Sequence, residues 1–72
     1  MGYMPLGDRA FGNELIQFRA RHYLTQQRLA EMLGVSLGMV HRYETNAAKP
    51  SKRNLIIYRN TMSYYDELNQ QD

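Results

Sequence analysis

The sequence predicts an all-α fold, a small bundle of about five helices, and three observations support this prediction. Apolar residues recur every three or four positions along most of the chain, which places them on one face of a helix. Residues suited to capping helix N-termini, namely Thr25, Ser36 and Ser51, stand just before the periodic stretches. With 72 residues and no cysteine, we expect one domain with a single small core and no disulfides.

We expect the first helix to begin at Asp8, a suitable N-cap, and to end near His22. One face of it is apolar, with residues spaced i, i+4 and i+7: Phe11, Leu15 and Phe18. Gly12 lowers the helix propensity near its start. Residues 1–7 contain a proline and two glycines without any charge, so we predict an irregular N-terminal arm followed by one domain over residues 8–72.

The second helix is predicted to follow Thr25, whose hydroxyl can accept a hydrogen bond from the first turn. Leu29, Ala30 and Leu33 then recur at helical spacing. Gly34 comes directly after them, at the position where a helix often ends in a left-handed residue. The pattern therefore predicts a short amphipathic helix.

A third helix is predicted after Ser36, its N-cap, with Val40 and Tyr43 facing inward. Thr45 and the polar loop that follows it end this helix. Residues 25–45 thus form two short helices joined by a glycine turn. In DNA-binding proteins, this helix-turn-helix layout places its second helix in the major groove.

Ser51 is the expected cap of a fourth helix, from about Lys52 to Met62. The residues that face inward in it are spaced i, i+3 and i+7: Leu55, Tyr58 and Met62. The helix thus adds one more apolar face to the core.

A short last segment is expected from Ser63 onward, anchored by its tyrosines and by Leu68. It either covers the core or supports association with a second copy of the chain. Four side chains are candidates for a homodimer contact: Ile56, Ile57, Tyr64 and Tyr65.

The composition argues against several classes of function. Without cysteine there is no thiolate ligand, and His22 and His41 lack neighbouring carboxylates, so we expect no metal site and no cofactor. No apolar stretch approaches the roughly 20 residues that cross a membrane. We therefore expect a cytoplasmic protein.

The positive charge is unevenly distributed, although the net charge is only +2. Five basic residues gather near the third and fourth helices: Arg42, Lys49, Lys52, Arg53 and Arg59. The C-terminal stretch instead carries Asp66, Glu67 and Asp72. A basic cluster beside a helix-turn-helix indicates phosphate contacts, while a solvated surface can have the same composition.

The order and spacing of these residues resemble the Cro/C1-repressor (Xre) family of helix-turn-helix proteins. Within the motif, the matching residues are Thr25-Gln26, Leu29-Ala30, Leu33-Gly34-Val35-Ser36, Val40, Tyr43-Glu44 and Pro50-Ser51. The resemblance extends beyond the motif at both ends: Leu15, Phe18, Arg19, Leu55, Tyr58 and Met62. It implies the lambda-repressor-like fold and a DNA-binding regulator in a bacterial cell.

The resemblance also implies which residues bind double-stranded DNA. Those at the family's contact positions are Gln26, Ser36, Leu37, Gly38, His41, Arg42, Lys49, Lys52 and Arg53. Gln26 matches a glutamine that contacts phosphate, and Arg42 can donate two hydrogen bonds to guanine. The family further implies a partly buried ion pair of Arg19 with Glu44, which ties the first helix to the third.

The sequence departs from the family pattern at Leu37, Gly38 and Met39, two of which match positions where the family commonly has polar side chains that contact bases. Leucine can meet only a thymine methyl, and glycine has no side chain. Two hypotheses about function follow. In the first, the protein is a small phage- or prophage-type transcriptional regulator that binds operator DNA through its helix-turn-helix.

In the second hypothesis, the protein is an antirepressor similar to the phage modulator-of-repression proteins. It binds a partner repressor and blocks or modifies the repressor's DNA binding in a lysis–lysogeny switch. The side chains predicted to contact that partner are Val35, Leu37, Met39 and, at the rim, Arg42. Antidotes of toxin–antitoxin pairs also use this fold, but no residue here is specific for that role.

We do not expect an enzyme. Ser36 and His41 lie five positions apart on one short helix and do not face each other, and no carboxylate completes a triad. Glu14 and Glu31 are expected to be exposed. Tyr23 stands where the family often has a turn glycine, so we expect a strained or packing residue there rather than a catalytic phenol.

Overall fold

Four α-helices make up the regular structure of the described residues. The structure, a computed structural model, covers residues 8–70, with side chains for residues 11–70. In chain order the helices are α1 (Asp8–His22), α2 (Gln26–Leu33), α3 (Leu37–Glu44) and α4 (Lys52–Leu68). The all-α prediction is confirmed. The predicted arm at residues 1–7, the side chain of Asp8 and the residue Asp72 lie outside the described part of the chain.

The predicted last segment is not separate, because α4 runs without a break from Lys52 to Leu68. No glycine or proline lies in this stretch to end the helix. Its buried side also continues, since Tyr58, Met62 and Tyr65 are spaced i, i+4 and i+7. The expected count of about five helices is thus one too many for residues 8–70.

Tyr65 lies on the inner side of α4, which corrects its assignment to a dimer contact. Its ring packs edge-on against Phe18 at 5.6 Å and against His22 at 4.8 Å between centroids. Leu68 is exposed and lies beside Tyr64 on the outer side instead.

No helix in the described part of the chain combines the length and the apolarity needed to cross a membrane.

Three of the four predicted N-caps are confirmed; the fourth, Asp8, has its side chain outside the described residues. The side-chain oxygens of Thr25, Ser36 and Ser51 each accept a hydrogen bond from the backbone N–H three residues later, at 3.0, 3.0 and 3.1 Å. Gly34 ends α2 in the left-handed region with φ of 73°. Because each cap satisfies an otherwise unpaired helix-end group, the short helices α2 and α3 have well-defined ends.

The core joins all four helices through one cluster of buried side chains. Its members are Phe11, Leu15, Phe18, Leu29, Ala30, Val40, Tyr43, Tyr58 and Met62. The ring of Phe11 meets Tyr43 edge-on at 5.7 Å and stacks on Tyr58 at 6.1 Å. Leu55, predicted to face inward, is half-buried and packs against this cluster. The apolar pattern therefore predicts the core correctly.

Helices α1 and α3 approach each other closely at Gly12. A Cβ atom at this position would lie 2.5 Å from the carbonyl oxygen of Tyr43 and 2.9 Å from Oδ1 of Asn46. Contacts this short do not occur in folded proteins, so a larger residue would push the two helices apart. Gly12 weakens α1 as a helix former, but it permits this packing.

Two sets of ion pairs join α1 to α4. Arg59 donates two hydrogen bonds to Glu14, at 2.9 and 2.6 Å. Asp66 lies 2.9 Å from Arg21 and 2.6 Å from Nε2 of His22. The expectation that Glu14 is an ordinary exposed residue is therefore wrong. Arg59 faces α1, so its assignment to a phosphate-binding cluster is corrected as well.

Tyr23 connects α1 to α2 in a strained conformation. Its φ is 55°, in the left-handed region that a residue with a Cβ rarely adopts. Its side chain is 94% exposed. The expectation of strain is confirmed, whereas the expectation of packing is wrong.

Candidate nucleic-acid interface

The two helices of the motif are held by a short connection and a shared core. Gly34 turns the chain and donates its N–H to the carbonyl of Ala30, and Ser36, two residues later, caps the N-terminus of α3. Leu29 of α2 and Val40 of α3 are both fully buried. The inner sides of both helices are thus fixed, and their outer sides remain available for a ligand.

The outer side of α3 carries most of the residues predicted to contact DNA. Leu37, Gly38, His41 and Arg42 are all exposed, and they lie in two adjacent rows spaced i, i+4. Ser36 is exposed directly before them. The exposed surface of α3 is therefore apolar in its first turn, at Leu37 and Gly38, and carries basic side chains in its last turn, at His41 and Arg42.

Glu44 joins three helices beneath this surface. Its carboxylate accepts two hydrogen bonds from Arg19 of α1, at 2.7 and 2.9 Å, and one from Nε2 of Gln26 of α2, at 2.9 Å. Arg19 also donates to the carbonyl of Leu24 at 3.2 Å. The side chain of Glu44 is only 5% exposed. The predicted pair with Arg19 is thus part of a larger network.

The network keeps both of its ionisable groups charged. Burial raises the pKa of Glu44, but the hydrogen bonds from Arg19 and Gln26, together with the nearby positive charge of Arg19, outweigh it, so the pKa lies below its ordinary value. The hydrogen bond to Glu44 raises the pKa of Arg19 above its ordinary value, with burial acting in the opposite direction. This charged, hydrogen-bonded pair joins α1 to α3.

The contact with Glu44 also fixes the amide of Gln26. A carboxylate only accepts, so the NH₂ group of Gln26 must face it. The second N–H and the Oε1 atom of Gln26 remain for an external partner. Sequence spacing gave no indication of this contact, because the two residues are 18 positions apart.

The remaining predicted DNA contacts lie in the loop after α3 and in the first turn of α4. Lys49, Lys52 and Arg53 are exposed there. With Arg42 in the last turn of α3, the residues predicted to contact DNA include four exposed cations. This arrangement can bind the phosphates that flank a groove.

The residues predicted to contact a partner repressor are not equally exposed. Leu37 is 46% exposed, and Arg42 is also on the surface. Val35 and Met39 are half-buried and pack against the core. Leu37 therefore supplies most of the apolar surface that faces outward on α3.

Comparison with known proteins adds one match. Residues 15–62, which are 48 of the 72 in the chain, match the model of a family described as helix-turn-helix. The matched region begins in α1 and ends in α4, so it contains the motif and the residues of the Glu44 network. No curated protein and no solved structure matches the chain.

Proposed function

Because the chain belongs to the Cro/C1-type helix-turn-helix family of DNA-binding transcription regulators, we propose that it is a small phage- or prophage-type regulator that binds operator DNA. In this proposal α3 enters the major groove, and the basic residues around it bind the neighbouring phosphates. The protein acts in the cytoplasm of a bacterial host, where its operator lies. The family is regulatory rather than enzymatic.

The observation that carries this proposal is the division of α3 into two sides. Val40 and Tyr43 are buried, which fixes the helix on the domain. His41 and Arg42 are exposed on the opposite side, where their hydrogen-bond donors are accessible to a ligand. An arginine on such a helix can bind guanine with two hydrogen bonds or bind a phosphate.

The test uses the duplex that the wild-type protein selects from a random pool. Arg42→Ala should weaken binding by about 1–3 kcal/mol, and Gln26→Ala should also weaken it. Arg21→Ala is the matched control, because it removes the same charge from the side where α1 meets α4. Thermal melting of each variant separates lost contacts from lost stability. Wild-type affinity in both Arg42→Ala and Gln26→Ala would contradict the proposal.

The exposure of Leu37 favours the antirepressor as a second candidate function. An apolar side chain beside an arginine is common at the centre of protein–protein interfaces. In this alternative the protein contacts a phage repressor through Leu37 and the neighbouring Met39. Leu37→Asp should then abolish repressor binding while circular dichroism remains helical, and retained binding would exclude this role for the apolar side chain.

We also propose that the regulator is a homodimer formed by α4. Four apolar side chains on this helix are between 49 and 65% exposed: Ile56, Ile57, Tyr64 and Leu68. The first turn of α4 is basic, with Lys52 and Arg53, and its last turn carries Glu67. In an antiparallel pair related by a two-fold axis, each basic turn would therefore lie beside the acidic turn of the other copy.

Sedimentation equilibrium tests the dimer. Ile57→Asp combined with Tyr64→Asp should convert the dimer to a monomer, because two charges would be buried in the contact. Ile16→Asp, which changes an exposed isoleucine of α1, should leave the mass of the dimer unchanged. A wild-type protein that is monomeric at every concentration would contradict the proposed dimer.

A further inference from the structure

The first turn of α3 points to a specific chemical feature of the DNA. We infer that Leu37 contacts the C5 methyl group of a pyrimidine in the major groove, and that Gly38 provides the space for this contact. The inference rests on the proposed operator binding and specifies which bases the operator contains. Thymine is the ordinary source of a C5 methyl group, and 5-methylcytosine carries the same group at the same place.

The polar groups at this end of α3 are largely engaged within the protein. Oγ of Ser36 accepts the hydrogen bond from the N–H of Met39 at 3.0 Å, so one of its two acceptor positions is occupied within the protein. Met39 itself is half-buried against the core. Leu37 is 46% exposed and is the large side chain that the first turn presents to a ligand.

Because Gly38 has no side chain, the backbone of α3 beside Leu37 is not covered. A Cβ atom built there would have a single neighbour within 4 Å, namely Oγ of Ser36 at 3.9 Å. The packing of the domain therefore does not require glycine, in contrast to Gly12. The absence of a side chain instead lets the backbone of α3 approach a base pair, which brings Leu37 within reach of its edge.

The two ends of the exposed surface then recognise different features of DNA. His41 lies four residues after Leu37 on the same side, and Arg42 lies four residues after Gly38. The C-terminal end thus offers hydrogen-bond donors, while the N-terminal end offers apolar surface. Hydrogen bonds alone cannot distinguish a methylated from an unmethylated pyrimidine, but contact with an apolar side chain can.

The experiment replaces the thymines of the selected operator, one at a time, with deoxyuridine, which removes only the methyl group. At one thymine in each half-site, affinity should fall about three- to fivefold, as expected for one buried methyl group. The same replacement should not change the affinity of the Leu37→Ala variant for the operator. Two further operators carry cytosine or 5-methylcytosine at that position. The wild-type protein should bind the 5-methylcytosine operator more tightly than the cytosine operator, whereas the Leu37→Ala variant should bind both equally.

Gly38→Ala separates DNA contact from folding. Alanine is the better helix former, and the open space accepts its methyl group, so the melting temperature should rise. Binding to the operator should nevertheless weaken, because the added methyl group would hold α3 away from the base pair. A stability change alone would move affinity in the opposite direction or leave it unchanged.

Three results would overturn the inference. The first is operator binding that is unchanged by every deoxyuridine, which would leave the proposed function intact and exclude methyl contact. The second is a deoxyuridine effect that persists in Leu37→Ala, which would assign the contact to another residue. The third is the absence of binding to any duplex, which would overturn the proposed function and this inference together.

Discussion

At the scale of single residues, Glu44 determines how the motif is held. One carboxylate contacts Arg19 of α1 and Gln26 of α2, and it belongs to α3 itself. The same residue therefore stabilises the fold and orients a side chain that faces the proposed ligand. The family resemblance identified the pair with Arg19, but the role of Gln26 became visible only in the folded chain.

Glu44→Ala should lower the free energy of unfolding by about 3–5 kcal/mol, because Arg19 would keep its charge without its partner. Glu31→Ala is the control, since Glu31 is an exposed carboxylate of α2 whose surface pair with Arg28 is weak, and its removal should cost less than about 0.5 kcal/mol. Urea unfolding of both variants gives the comparison. Equal stability of Glu44→Ala and wild type would show that the network does not stabilise the domain.

At the scale of helices, close approach and ion pairs decide how α1 meets its neighbours. Gly12 permits the contact with α3, while Glu14 and Asp66 contribute to the pairs between α1 and α4. Helical periodicity predicts which side of each helix is buried. It does not predict these contacts, because they depend on where another helix lies in space.

Gly12→Ala and Gly38→Ala form a matched pair of substitutions. Helix propensity alone would stabilise both variants by about 1 kcal/mol. Gly12→Ala should instead destabilise the domain, because the new methyl group would lie 2.5 Å from the carbonyl oxygen of Tyr43. Thermal melting distinguishes the two. A Gly12→Ala variant as stable as Gly38→Ala would contradict the close packing of α1 on α3.

The pairs of Asp66 should make stability depend on acid pH. Burial raises the pKa of Asp66, but the hydrogen bonds from His22 and Arg21, together with the nearby positive charge of Arg21, outweigh it, so the pKa lies below its ordinary value of 3.8. The stabilisation is therefore present above pH 3.8 and is lost as the pH falls through the lower, folded-state value.

Asp66→Asn provides the test of this dependence. About one pH unit above 3.8, the variant should be less stable than wild type, by less than about 1 kcal/mol because the pairs are partly exposed. About one unit below that value, the difference should shrink. Urea unfolding at the two pH values measures it, and a difference that does not change with pH would contradict the assignment.

At the scale of the whole molecule, local patterns predicted the fold well. Caps such as Thr25 and Ser36 and the apolar faces of the helices depend on near neighbours in the sequence, so they could be identified there. The sequence does not indicate that α4 continues through Ser63, because serine is also common at the start of a new helix. The pairing of Arg59 with Glu14 could not be found, because the two residues are 45 positions apart.

The candidate site was only partly predictable for the same reason. Exposure of His41 and Arg42 follows from helical periodicity, which also places Val40 and Tyr43 inside. The half-burial of Val35 and Met39 depends on how α3 sits against the core, and the sequence does not specify that geometry.

The most direct test of DNA binding is fluorescence anisotropy of the wild-type protein on a labelled random duplex, over a range of salt concentrations. Four of the residues predicted to contact DNA are exposed cations: Arg42, Lys49, Lys52 and Arg53. If each neutralises one phosphate, the logarithm of the association constant should fall against the logarithm of salt concentration with a slope of about −3 to −4 per protomer. Arg21→Ala should keep this slope, and Arg42→Ala should reduce its magnitude by about one. A protein that does not bind the duplex even at low salt would contradict the proposal that this helix-turn-helix binds DNA.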